Sequence, residues 1–192
     1  SRPPRTAAFL QDATDGQRQG LWRLPTVALH HLLTGDSQSL DDAAGFLRFF
    51  QTLPHWETGA ERDSGMSSAN ILAGAALAFD WLYNDLDPLF REQFRRTLWQ
   101  KARAQYHGGH LRKNPGNHYW QGDPQNNHRW HRDAGRTLAA LAAARGDEDE
   151  QWLLGKIADE IDFVARWLPA DGSSHESASY LVFGATHLTL AM

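Results

Sequence analysis

Apolar residues recur every three or four positions along most of the chain, and no segment alternates apolar and polar residues as a half-buried strand does. Residues 21–33 carry the pattern on Leu21, Leu24, Val27, Ala28 and Leu32 and stop at Gly35, which suits a left-handed helix end. Ser39 or Asp41 is expected to cap a second helix that runs to about Leu53, ahead of Pro54. A third begins near Ser67-Ser68 and passes through Ile71, Leu72, Ala75, Ala76, Phe79 and Leu82. Asp87-Pro88 opens a fourth, since proline in the first helical position removes an N–H that has no partner within the helix. It reaches about Tyr106 and ends at Gly108-Gly109, where residues 108–125 form the longest irregular stretch. Further helices are expected from about Asn126 to Ala144, from Glu148 to Leu168, and from His175 to the end.

Helix, short turn, helix, without a fixed repeat, predicts an all-α chain of antiparallel hairpins; the pattern alone leaves bundle, solenoid and toroid open. The 192 residues suit a single domain, 1–192. Hydrophobic residues at 41% and charged residues at 22% exclude a disordered chain, and no apolar run approaches the roughly 20 residues of a spanning helix. With no cysteine, disulfides and thiolate metal sites are excluded. No signal peptide is visible at Ser1-Arg2-Pro3-Pro4-Arg5. The last apolar run breaks off at Met192, and the natural protein is expected to continue beyond it.

The net charge of −4 hides an asymmetry. Between Lys101 and Arg136 stand seven Lys/Arg and five His against two acids, Asp123 and Asp133. Such a segment suits an anionic ligand, or else it is a face whose acids come from elsewhere in the fold. Within it Asn126-Asn127-His128 opens a helix, where backbone N–H groups and the helix dipole favour a negative group. Asn126 is equally a plain helix cap. His128 and His131, three apart, could start a metal site with His107, His110, His118 or Asp123, but no recognised ligand spacing is present, so neither metal nor cofactor is expected. The second element is the turn Asp171-Gly172-Ser173-Ser174, followed by Glu176 and by Tyr180, 52 residues after His128. Tyr180 alone reads as a packed aromatic and Glu176 as a helix-start acid or a partner that orients a histidine. Trp22, Trp81, Trp99, Trp152 and Trp167 lie in helical patterns and are expected in the core; Trp56, Trp120 and Trp130 lie in or beside polar loops, where a flat ring can stack on a pyranose.

Asn127-His128 together with Asp171-Gly172-Ser173 and Tyr180 resemble the heparinase II/III-like superfamily, which includes heparinase and alginate lyases and the dermatan sulfate epimerases. The resemblance covers roughly Ala69 to Met192, with Ala78-Phe79-Asp80-Trp81-Leu82-Tyr83 as the early helix pair. It implies an incomplete (α/α) toroid of antiparallel helix hairpins, followed by further helices and a C-terminal β-sandwich domain, and a periplasmic or secreted protein. It also implies that Asn127 and His128 neutralise a uronate carboxylate while Tyr180 acts as acid or base, with Asn126, Trp120, Trp130, Arg129, His131 and Glu176 around the substrate. His131 stands where some relatives have Glu, and the family usually draws a further His from its β-rich part.

The implied reaction is β-elimination on an anionic polysaccharide, alginate or a glycosaminoglycan. A proton next to a carboxylate is hard to remove because a second negative charge develops beside the first, and donors placed at that charge supply the largest help. A phenol in water ionises only near pH ~10, so Arg129, His131 or Arg132 is expected to ease its deprotonation. C5 epimerisation passes through the same carbanion. A glycoside hydrolase would need two carboxylates, Asp123 and Glu176 being the candidates, and would leave Asn126-Asn127-His128 unexplained. A non-catalytic helical domain that binds anionic glycan is the third reading. The acidic total and the absence of a recognisable motif count against nucleic acid as a partner.

Overall fold

The computed structural model describes residues 17–56, 65–111 and 118–192. These are helical throughout their regular parts, with no strand among them. A π-helical lead-in, Gln17–Arg23, runs into α1 (Leu24–Thr34), followed by α2 (Ser37–Thr52), α3 (Met66–Trp81) and α4 (Pro88–Tyr106). After a π turn at His107–Leu111 come the short α5 (His118–Gln121), α6 (Asn127–Ala143), α7 (Glu148–Trp167) and α8 (Ala178–Ala191).

The helix ends follow local chemistry. Gly35 closes α1 at φ 71°, a conformation a β-carbon disfavours. Asp36, rather than the expected Ser39 or Asp41, caps α2 by accepting the Ser39 N–H at 2.8 Å. Asp87 accepts the Phe90 N–H at 2.9 Å with Pro88 in the first turn. Asp147 and Glu150 form a reciprocal capping box on α7, and Ser177 caps α8 through the Tyr180 N–H. The expected irregular stretch 108–125 is partly helical, at 107–111 and 118–121, and residues 112–117 lie outside those described.

Contacts give the direction of each helix. Ala69 meets Gly135 while Ala76 and Asp80 share a wall with Leu138 and Ala142, so α3 and α6 run parallel. Gly184 meets Asn127 and Trp130 while His187 stacks on His131, so α8 also runs parallel to α6, on a different face. Gly20 packs on Ile71 and His31 reaches Asp85, which sets α1 parallel to α3. Arg95 bonds the Ala143 carbonyl and Arg132 the Gln105 carbonyl, so α4 runs antiparallel to α6. The result is a row of parallel helices, α1, α3, α6 and α8, joined through the antiparallel α2, α4 and α7.

The inner row helices α3 and α6 are buried on nearly every side, whereas α1, α8 and the connecting helices bury one face. In α3 every residue from Ser67 to Ala76 is buried. The main core joins Phe46, Leu47 and Phe50 of α2, Ile71, Leu72 and Phe79 of α3, and Phe94 and Leu98 of α4. A smaller cluster of Trp130, Val164 and Leu188 ties α8 to α6 and α7. None of the described helices is long and apolar enough to cross a membrane.

The row depends on backbone contact. A β-carbon on Gly135 would meet the Ala69 backbone, its Cα at 2.7 Å, whereas one on Gly155, on the exposed side of α7, would meet nothing. Gly135→Ala is expected to lower unfolding free energy by about 2 kcal/mol or more, as overpacking against backbone does. Gly155→Ala should raise it by about 0.5–1 kcal/mol. Urea unfolding of both variants measures the contrast.

Candidate functional site

Two helix starts meet at one edge of the row. Asn126 caps α6, its side-chain oxygen accepting the His128 N–H at 3.0 Å. Its expected role at substrate is therefore limited to the amide nitrogen. Asn127 follows in the first turn and is only 4% exposed. Its Nδ2 donates to both carboxylate oxygens of Glu176, each at 3.1 Å. Glu176 lies on the connector just before α8, and Tyr180 in the first turn of α8 is 56% exposed. The structure thus joins Asn127 to the segment that carries Tyr180, with His128 half-buried next in the chain.

A polar rim stitches the same edge together. Gln125 Nε2 donates to the Trp167 carbonyl at 3.0 Å, which fixes its amide and leaves Oε1 to accept from His175 Nδ1 at 3.1 Å. The other nitrogen of His175 lies 2.9 Å from the Asp123 carboxylate. Gln125 and His175 were missed as site residues; a glutamine and a histidine 50 residues apart carry no local sign of pairing. Asp123, offered as a hydrolase carboxylate, is the partner of His175, and Glu176 that of Asn127.

The structure corrects several expectations. Trp120 and Trp130 are 0% and 1% exposed and present no face to a sugar. Trp120 lies beneath the Arg132 guanidinium, 4.6 Å from the ring centroid, and Trp130 donates to the Pro124 carbonyl at 2.8 Å. Trp56 is in the core too, donating to the Phe50 carbonyl. Of the tryptophans expected inside, Trp22, Trp152 and Trp167 are exposed. Trp120 and Trp130 stand on the inward faces of α5 and α6, whereas Trp22, Trp152 and Trp167 stand on outward faces of their helices.

Among the described residues, three arginines of the cationic segment pair with carboxylates within the fold. Arg129 is buried and grips Glu160 of α7 with Nε and, at 2.9 Å, Nη2. Its guanidinium also lies over Phe163 and donates to the Gln121 carbonyl at 2.9 Å. Fully buried Arg136 pairs with Asp133, one turn back, and lies 3.8 Å from Glu160. Burial pushes the Asp133 carboxyl above the usual carboxylate range, against the pull of Arg136. Arg103 pairs with Asp149. Arg132, expected with Arg129 beside the Tyr180 phenol, is buried and donates to the Gln105 carbonyl at 2.7 Å. Arg112, Lys113 and the side chains of His110 and His118 lie outside the described residues.

His131 is also buried. Its Nδ1 is 2.7 Å from the Asn127 carbonyl oxygen, which can only accept, so Nδ1 carries the proton. The ring stacks on His187 of α8 with centroids 3.4 Å apart and packs against Phe183. Burial, then the neighbouring His187, pulls its pKa down to about 3, with the Asn127 hydrogen bond opposing. A neutral, enclosed ring is a positioning residue for the first turn of α6, in place of the expected contact with substrate. No group of three or more metal-ligating side chains occurs among the described residues. No family model matches the chain, and a search of curated proteins finds no match.

Between pH 6.5 and about 3 the unfolded chain protonates His131 and the folded chain does not, so its contribution to stability falls as pH drops through that window. Replacing His131 by Gln, whose amide can still donate to the Asn127 carbonyl, is expected to remove about 1.4 kcal/mol per pH unit from the slope of unfolding free energy between about pH 4 and 6. Urea titrations across that range measure it, and equal slopes in the two proteins would contradict the assignment.

Proposed function

We propose that the chain is the catalytic helical part of a polysaccharide lyase that cleaves a uronic-acid-containing polymer, alginate or a glycosaminoglycan, by β-elimination. The observation that carries this reading is the meeting of the α6 start, Asn126 to His128, with the α8 start and Tyr180, linked through Asn127 and Glu176. A row of parallel helices backed by antiparallel ones supports the finer reading of the fold as an incomplete (α/α) toroid. A periplasmic or secreted location belongs to the same reading.

The chemistry follows from the groups at that edge. An amide and an imidazole beside a helix start offer N–H donors to a carboxylate, and they matter most when C5 loses its proton and that carboxylate gains charge. Tyr180 is exposed where a polymer can reach it. It removes the C5 proton as its phenolate, donates a proton to the departing glycosidic oxygen as its phenol, or does both in sequence. The bond to the leaving oxygen breaks as the C4–C5 double bond forms, so electrons and protons balance without a cofactor. Reprotonation of the same carbanion from the opposite face would instead invert C5, the epimerase alternative.

Ultraviolet absorbance from alginate, heparan sulfate, chondroitin sulfate and hyaluronan tests the reading, because only elimination makes a conjugated double bond. The expected outcome is absorbance gained on one polymer and lost by about 10²-fold or more in Tyr180→Phe, the usual range for removing a general acid or base. Full activity in that variant would contradict the role of Tyr180, and solvent deuterium at C5 without absorbance would assign epimerisation.

A further inference from the structure

We propose that the Glu176 carboxylate is an internal occupant of the site's carboxylate position, and that a uronate must displace it from Asn127 to bind; this rests on the uronate-lyase reading above. The Asn127 amide nitrogen is equidistant, at 3.1 Å, from both oxygens of Glu176. That is a complete carboxylate-recognition contact formed within the protein. Asn127 is also almost wholly buried, so a substrate carboxylate reaches the amide only when Glu176 leaves it.

The parts differ in how firmly they are held. Asn127 is fixed on three sides: its carbonyl accepts from His131 Nδ1 at 2.7 Å, its Cβ lies 3.0 Å from where a β-carbon on Gly184 would be, and its residue opens a capped helix. Glu176 sits outside any helix, in a connector where the Ser173 N–H donates to Asp171 and the Glu176 N–H to Ser174 Oγ, and which His175 ties to Gln125 and Asp123, so it is the Glu176 side chain rather than its backbone that is held only through Asn127. No cation among the described residues pairs with its carboxylate, which is held by a neutral amide. Exchange of one carboxylate for another at that amide keeps the same hydrogen bonds. Glu176 thereby discriminates as well as gates. A neutral sugar offers the Asn127 amide only single, uncharged hydroxyl acceptors, while a uronate offers the same two-oxygen carboxylate. Rather than binding substrate, as the resemblance suggested, Glu176 competes with it.

Such a gate weakens apparent affinity by the fraction of time it is open. If it is closed about nine-tenths of the time, affinity is reduced about tenfold. The test is a titration of the protein with sodium glucuronate and sodium guluronate, followed on the side-chain amide signals of ¹⁵N-labelled asparagine, in the unmodified protein, Glu176→Ala and Glu176→Gln. The Asn127 signal is assigned by its loss in Asn127→Ala. We expect the Asn127 signal to move on Glu176→Ala, hexuronate affinity to tighten about tenfold in that variant and less in Glu176→Gln, and kcat/KM on the responsive polymer to rise in the same order. Weaker or unchanged hexuronate affinity together with lower kcat/KM in both variants would overturn the inference and make Glu176 a positioning residue, leaving the lyase reading in place. An active protein whose Asn127 signal never responds to hexuronate would overturn it too. Absence of both activity and hexuronate binding in all three proteins would remove the lyase reading and the inference together. Glu176→Gln serves where Glu176→Ala fails to fold.

Discussion

Direct contact between α6 and α8 is the constraint from which the site follows. Gly184 has no side chain, and a β-carbon there would come within 2.6 Å of the Trp130 ring. The empty place lets Trp130, Val164 and Leu188 close into one cluster and lets His131 stack on His187 a turn further along. The pair is parallel but offset: Gly184, in the second turn of α8, lies beside Asn127, the first residue of α6, so the first turn of α8 with Tyr180 extends past the α6 start at the same end of the pair. An antiparallel pair would have put Tyr180 at the far end of α6 from Asn127. The chemistry proposed for the chain therefore depends on helix direction, and direction depends on the connecting helix α7, which carries the chain back before α8 begins.

The same contact explains why α6 holds so much charge in its interior. Arg129, Arg132, Asp133 and Arg136 are all buried on a helix surrounded by α3, α4, α7 and α8. Burial of unpaired charge is costly, and these groups find partners inside the fold: Arg129 with Glu160, Arg136 with one oxygen of Asp133, Arg132 with a carbonyl and the Trp120 ring. These contacts hold α6 to α7 and to the 118–121 segment, behind the edge where Asn127 and Tyr180 lie. The arginines are part of the scaffold; the exposed edge is left with amide, imidazole, phenol and carboxylate groups.

Much of the helix order was legible in the sequence because helix ends are decided locally. Asp87-Pro88, Gly35 and Asn126 each act within a turn, and each stands where the pattern put it. The pairing of Asn127 with the segment before Tyr180 was reached only through family resemblance, since nothing within either segment points to the other. Illegible features involve partners far apart in the chain. Arg129 looked like a ligand-facing cation because Glu160 is 31 residues away. Trp120 and Trp130 looked like sugar platforms because their neighbours are polar. One signal was overlooked: Asp133 and Arg136 interrupt an alanine-rich helix one turn apart, the spacing of an internal ion pair.

A structure of Tyr180→Phe with an unsaturated-end-free uronate tetrasaccharide tests the central claim most directly. The account predicts a uronate carboxylate on the Asn127 amide with His128 beside it, Glu176 turned away, and the residue-180 ring next to C5 of that sugar. A tetrasaccharide carboxylate held anywhere else, with Asn127 still bonded to Glu176, would contradict it.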